Sequence, residues 1–205
     1  MNDARGADMT TPVLILAGGS SSRMAPRNKL LENVDGQPLL RLQAWRALKA
    51  SRDVTVLLRP NQPALKTALD GLPVRILTAN EALEGMGGSI RAGTRSLQNA
   101  PCFLMLLADL VDIEAEDMRR VMSAREAKTG AVAWRGTTED GKPGHPILFD
   151  SALYPELMEL SGDQGAKAVL SRYADQIVDV PLPGQRARTD LDSPDDWLLW
   201  RSNSA

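Results

Sequence analysis

The chain is short of the residues that most often advertise chemistry. Its 205 residues hold one cysteine, one histidine, two tyrosines and two phenylalanines, and aromatic residues make up only 4 %. A lone cysteine, Cys102, excludes an internal disulfide. It precedes the apolar run Phe103-Leu104-Met105-Leu106-Leu107, so it reads as a buried, inert thiol. The formal net charge is −2, without the basic excess of a nucleic-acid binder. No apolar stretch approaches the length of a membrane span. The opening MNDARGADMTT has no apolar signal-peptide core. The expectation is a soluble cytoplasmic protein with a disordered tail at 1–11 and a single domain over 12–205, large enough to bury a core without disulfides or a structural metal.

What is present concentrates near the start. Residues 14–31 read LILAGGSSSRMAPRNKLL. The apolar run 13–17 has strand length and breaks into two glycines and three serines. Backbone N–H groups in such a turn can face an anion, and Arg23 and Lys29 add two positive charges beyond it. A turn of this kind at the carboxyl end of a first strand suits a triphosphate. It is not a Walker loop, because Lys29 lies ten residues beyond Gly19 and is followed by Leu30. Nor is it a G-x-G-x-x-G fingerprint, since no glycine follows Gly19 until Gly36. That disfavours a dinucleotide-dependent oxidoreductase.

Strand-like and helix-like segments then alternate. Strands are expected at 13–17, 54–58, 74–77, 103–107, 131–134, 146–149 and 177–180. Helices are expected at 39–50, 62–69, 89–97, 114–128, 154–160, 165–173 and 194–201. The polar, glycine-rich stretch 135–144 reads as a loop. This alternation implies a largely parallel sheet with helices on both faces, and ligands outside the carboxyl ends of its strands. That places Asp109, just past the most apolar strand, at the same edge as the glycine turn. As a rival role Asp109 could cap the next helix, but Asp112 stands closer to its start. Ser193-Pro194-Asp195-Asp196 looks like a helix start, with Ser193 as cap. That accounts for Asp195 and Asp196 but not for Asp190 and Asp192. Trp197 and Trp200, three apart, read as packing residues.

The turn, with its L-A-G-G-x-S-x-R-M…K-L-L pattern and Gly36-Gln37-Pro38-Leu39-Leu40, resembles the MobA-like nucleotidyltransferases. These include the molybdenum cofactor cytidylyl- and guanylyltransferases. Further matching pieces run along nearly the whole chain: EGMGGSIRAG at 84–93, Leu107-Ala108-Asp109, Gly144-His145-Pro146, SGDQGA at 161–166 and DLDSPDD at 190–196. The resemblance implies a three-layer α/β/α, Rossmann-like fold of the glycosyltransferase-A kind with a mostly parallel mixed sheet. It implies transfer of a nucleoside monophosphate to the phosphate of molybdopterin, with Mg²⁺ as cofactor and release of pyrophosphate. Arg23, Lys29 and Asp109 become the catalytic candidates. Leu16, Ala17, Gly18, Gly19, Ser20, Gly85, Gly88 and Ser89 join them as nucleotide contacts. Asp109, with Asp192 and then Asp190, becomes the metal set. Gly144, His145 and Asp163 become acceptor contacts. As partners it implies a nucleoside triphosphate, a molybdopterin-type acceptor and a molybdoenzyme recipient, with no nucleic acid or membrane.

The nucleotide is read from two opposed signals. Leu16-Ala17-Gly18-Gly19 resembles the guanylyl group. Asn28-Lys29-Leu30-Leu31 and the pieces at 84–93 and 161–166 are closer to the cytidylyl group, so CTP is favoured over GTP. The chain departs from the family pattern at Ala25, where glycine is usual, at Val111, where proline is usual, and at Gly87-Gly88, where hydroxyl residues are usual. Two alternatives therefore stand beside the main reading. One is a sugar-phosphate or other alcohol-phosphate nucleotidyltransferase. The other is a member that binds nucleotide or cofactor without transferring anything.

Overall fold

The structure, a computed structural model, describes residues 11–19, 24, 27–127 and 130–203. Seven strands form one sheet: β1 (Val13–Leu16), β4 (Val54–Leu58), β5 (Arg75–Thr78), β6 (Cys102–Leu107), β7 (Ala133–Thr137), β8 (Pro143–Asp150) and β9 (Ile177–Pro181). Their spatial order is β5-β4-β1-β6-β8-β7-β9. Two short strands, β2 (Asn33–Val34) and β3 (Gln37–Pro38), pair separately as a hairpin. β8 runs antiparallel to both neighbours, and the other neighbouring pairs in the sheet are parallel. The mostly parallel mixed sheet expected from the resemblance is thus present.

The central strands β1, β4 and β6 are apolar on both faces because both faces are covered. On β1, Val13 and Ile15 enter one core with α1 (Leu39–Ala50), while Leu14 and Leu16 enter a second core on the opposite face. β6 repeats the alternation, with Cys102, Leu104 and Leu106 on the first face and Phe103 and Met105 on the second. This is the period-two register of a strand between two helical layers. The first core also takes α2 (Pro63–Ala68), α4 (Ala115–Ser123) and α7 (Pro194–Asn203) through Leu65, Met118 and Trp197. The second takes α3 (Met86–Ser96), α5 (Tyr154–Leu157) and α6 (Lys167–Leu170) through Ile90, Leu157 and Val169. Phe103 packs on Phe149 and Tyr154, with centroids 5.7 and 5.4 Å away. Burying each such side chain contributes about 1.5–3 kcal/mol. Cys102 is buried, and burial pushes its thiol pKa up, as an inert core position requires.

Several boundaries differ from expectation. The stretch 135–144 is the top of a β7–β8 hairpin rather than a loop throughout. Its tip is polar for a local reason. The Thr138 hydroxyl accepts from the Lys142 N–H, and Gly141 takes the left-handed φ of +81° that closes the turn. The Asp140-Gly141 pair is the sequence signal for such a hairpin. The helix expected at 114–128 stops at Ser123 and continues as a 3-10 turn, Ala124–Ala127. Glu114, not Asp112, caps it, through a reciprocal box with Asp117. Asp112 instead accepts from the Trp200 indole at 2.9 Å. The segment expected as one helix at 165–173 is α6 followed by a 3-10 stretch, Ser171–Gln176. Ser193 does start α7: Asp196 N–H donates to its hydroxyl, and that hydroxyl and the Ser193 N–H both donate to Asp196 Oδ2. Trp197 is buried and meets Trp200 edge-on, so both pack. Among the described residues no helix is long and apolar enough to cross a membrane.

Candidate active site

β1 is flanked by β4 on one side and β6 on the other, so strand order reverses there and a crevice opens at the carboxyl ends. Gly18 and Gly19 leave β1 at this point. A Cβ on Gly18 would stand 3.0 Å from Ser89 Oγ, so the turn lies against the start of α3. The crevice is a cleft of about 600 Å³, whose lining includes Leu16, Gly18, Gly19, Arg59, Gly85, Ser89 and Asp109. Ala17 points into the first core instead. Ser20, Arg23 and Ala25 lie outside the described residues.

Lys29 begins a one-turn 3-10 helix, Lys29–Leu31. Asn28 caps it by accepting from the Leu30 N–H at 3.0 Å, and buried Leu30 anchors it. The Lys29 ammonium donates to Asp109 Oδ2 at 2.5 Å and to Asp192 Oδ1 at 2.6 Å. Burial works to lower the lysine pKa, but the charges and hydrogen bonds of Asp109 and then Asp192 outweigh it, so the pKa is raised. Two segments, 80 and 163 residues along the chain from Lys29, thus meet at its ammonium.

Backbone pairing delivers the two carboxylates. Ala108 N–H donates to Leu16 O at 3.1 Å, tying the end of β6 to β1 just before Asp109. The strap from Arg188 to Asp192 then lies across the residues after Asp109. Leu110 forms an antiparallel bridge with Asp190, and Val111 N–H donates to Thr189 O at 3.2 Å. A proline at 111 has no N–H to give, so the departure from the family pattern here has a structural use. Asp190 stands beside Asp192. Loss of water and then the Asp192 charge raise its carboxyl pKa.

A hard divalent cation suits this donor set. One point charge already stands within 2.6 Å of two carboxylates. Among the described residues no three His, Cys, Asp or Glu side chains gather closely enough to hold a metal unaided. Two carboxylates, with phosphate oxygens and water completing the shell, is the usual arrangement for Mg²⁺.

The glycines at the start of α3 serve packing more than ligand approach. A Cβ on Gly85 would lie 2.3 Å from Asp163 Oδ1, one on Gly87 2.7 Å from the Ser161 backbone, and one on Gly88 1.8 Å from Glu81 O. Gly87-Gly88 therefore replace hydroxyl residues because loop 161–163 and the Glu81 carbonyl occupy that space. Gly88 is not in the cleft wall, whereas Gly85 and Ser89 are. Arg91 is tied to Glu84 at 2.6 Å and to Leu160 O at 2.7 Å. Asp163, grouped with Gly144 and His145 as an acceptor contact, lines the glycine-turn cleft beside Gly85, while those two line a second pocket.

That second pocket, about 430 Å³, adjoins the first across Met86 and Leu107. Its walls are Ile90, Met105, Ile147 and Leu170, with Arg135, Lys167 and Arg188 among them. His145 lies here on β8, just ahead of the run 146–149 expected as strand. Burial pushes its pKa down to about 4, so it is neutral near pH 7. The four cations Arg59, Arg135, Lys167 and Arg188 escaped sequence reasoning. Arg59 follows directly on β4, so the strand-end rule could have found it. The other three carried no motif.

Residues 13–177 match the family model described as a MobA-like NTP transferase domain. The purine catabolism protein PucB of Bacillus subtilis (strain 168) is 25 % identical over 211 residues, covering 94 % of this chain and 98 % of PucB. Among solved structures, Rv0371c of Mycobacterium tuberculosis H37Rv superposes with a TM-score of 0.79 at 20 % identity, covering 95 % of this chain and 99 % of that one. Rv0371c has also been solved in complex with manganese. A nucleotidyl transferase from Methanothermobacter thermautotroptrophicus, Mth528, superposes with a TM-score of 0.78 at 18 % identity, covering 95 % and 97 %.

Proposed function

This chain belongs to the MobA-like NTP transferase family, and on that premise we propose that it transfers a nucleoside monophosphate, CMP before GMP, from the triphosphate to the phosphate of a molybdopterin-type acceptor. The observation that carries the reading is the meeting of Lys29, Asp109 and Asp192 beside the glycine turn. An acceptor phosphate oxygen attacks the α-phosphorus, the α–β anhydride bond breaks, and pyrophosphate leaves with the bonding electrons. The nucleophile is already an anion, so no base is required. Positioning and charge neutralisation carry the rate.

Gly18 and Gly19 leave the backbone open to the phosphates. Arg59 adds a positive charge to the cleft wall. Lys29 serves the α-phosphate, where charge rearranges. Arg23 is assigned to the departing β- and γ-phosphates on the family pattern. Asp109 and Asp192, with Asp190 next to them, would hold Mg²⁺, which when bound neutralises phosphate charge. The manganese complex of Rv0371c supports a divalent cation in this fold. The adjoining pocket of Gly144 and His145 takes the acceptor, with neutral His145 in its wall.

The test is pyrophosphate release from a panel of CTP, GTP, ATP and UTP, with molybdopterin or a sugar phosphate as acceptor, with and without magnesium. Magnesium-dependent release, fastest with CTP, is expected. Release only with a sugar phosphate, or nucleotide binding without release, would replace this reading by one of its two rivals.

A further inference from the structure

The second pocket has an unusual charge balance. Among the described residues its lining holds three cations, Arg135, Lys167 and Arg188, and no carboxylate. Its floor is apolar, made of Met86, Ile90, Met105, Leu107, Ile147 and Leu170. One of the cations is partly compensated, since Arg135 pairs with Asp179 at 2.8 Å. Arg188 donates to the Pro143 carbonyl at 3.0 Å, which involves no charge partner. Among the described residues Lys167 makes no ion pair within 4 Å.

Sheet register fixes where these charges stand. Met105 pairs with Ile147, and Ile147 pairs with Arg135. Arg135 is therefore two strands away from β6, roughly 10 Å across the sheet. Asp109 follows β6, and Lys29 is bonded to it. A single phosphate lying on Lys29 cannot also reach Arg135.

The strap joins the two ends. A Cβ on Gly144 would lie 2.2 Å from Ala187 O, so glycine at 144 lets the 3-10 turn Arg186–Arg188 close onto β8. Arg188 is thereby set at the second pocket, and four residues on Asp192 reaches Lys29. Gly144 thus acts as a positioning residue for Arg188.

We propose that the second pocket selects a two-ended acceptor: an apolar body carrying, besides its reacting phosphate, a second anionic group that Arg135, Lys167 and Arg188 receive. The assignment of this pocket to the acceptor rests on the proposed function; its preference for an anionic amphiphile does not. An aromatic sulfonate, 8-anilinonaphthalene-1-sulfonate, has the required chemistry and reports on its own binding by fluorescence. The wild-type protein should bind it. The double variant Lys167→Glu with Arg188→Glu should bind it roughly tenfold more weakly, with CTP affinity unchanged within twofold. Gly144→Ala, with Arg188 displaced, should weaken it in the same direction.

With molybdopterin and CTP, the double variant should raise the acceptor KM at unchanged kcat. No dye binding to the wild type, or equal binding by wild type and double variant, overturns the proposal. If the dye results hold while wild type releases no pyrophosphate with molybdopterin, the acceptor assignment fails and the pocket's ligand class stands.

Discussion

On one side of β6 the sheet is wholly parallel, with β1, β4 and β5 opening their carboxyl ends on a cleft of glycine backbone and carboxylate. On the other side β8 reverses direction, and the edge it shares with β7 carries an apolar floor under three cations. The first region sets the Lys29 ammonium between two carboxylates beside the glycine turn. The second offers shape, apolar surface and charge at a distance. The cleft and the second pocket thus lie on the two sides of β6, and the strap from Arg188 to Asp192 is the part that touches both.

Substitutions should divide along that line. Asp109→Asn should have the largest effect, a loss of magnesium-dependent turnover of about 10³-fold, with the thermal melt by circular dichroism near wild type. An unchanged magnesium titration would break the comparison by moving the metal elsewhere. Lys29→Met should lower kcat by roughly 10²–10³. Without nucleotide it should also bind Mn²⁺ more tightly than wild type by electron paramagnetic resonance, because the ammonium no longer occupies the carboxylate pair. Weaker Mn²⁺ binding would show that lysine and metal do not share the site.

Packing variants sharpen the same line. Gly88→Ala drives a methyl into Glu81 O and should destabilise by roughly 1–3 kcal/mol in chemical denaturation. His145 tests the second region through pH. Its pKa falls from 6.5 to about 4 on burial, so between those values the unfolded chain binds more protons than the folded one. Stability contributed by neutral His145 is present above pH 6.5 and lost as pH falls toward 4, by up to about 3 kcal/mol. His145→Gln should flatten that part of the stability profile. Trp200→Phe, which removes the bond to Asp112, should cost only about 1 kcal/mol.

The parallel half was legible because buried parallel strands are short apolar runs between amphipathic helices, and α1 and β4 fall where the pattern puts them. The antiparallel half was harder. Strand signal in Arg135 and Pro143-Gly144 is masked by polar hairpin chemistry, and only Asp140-Gly141 marks the turn. That Asp163 parts from Gly144 and His145 could not be read from sequence, because Gly165, Ala166 and Lys167 line the second pocket while the Asp163 side chain lies by Gly85.

Sequence alone determined the alternation of elements, the glycine turn and the residue types able to meet a triphosphate and a metal, since these depend on local periodicity and short spacing. Only the tertiary structure decided that Lys29, Asp109 and Asp192 share one point, that Val111 replaces proline to hold the strap, and that three unmarked cations surround an apolar floor. Those outcomes depend on backbone pairing between segments far apart in the chain, where register, not composition, sets which charges meet.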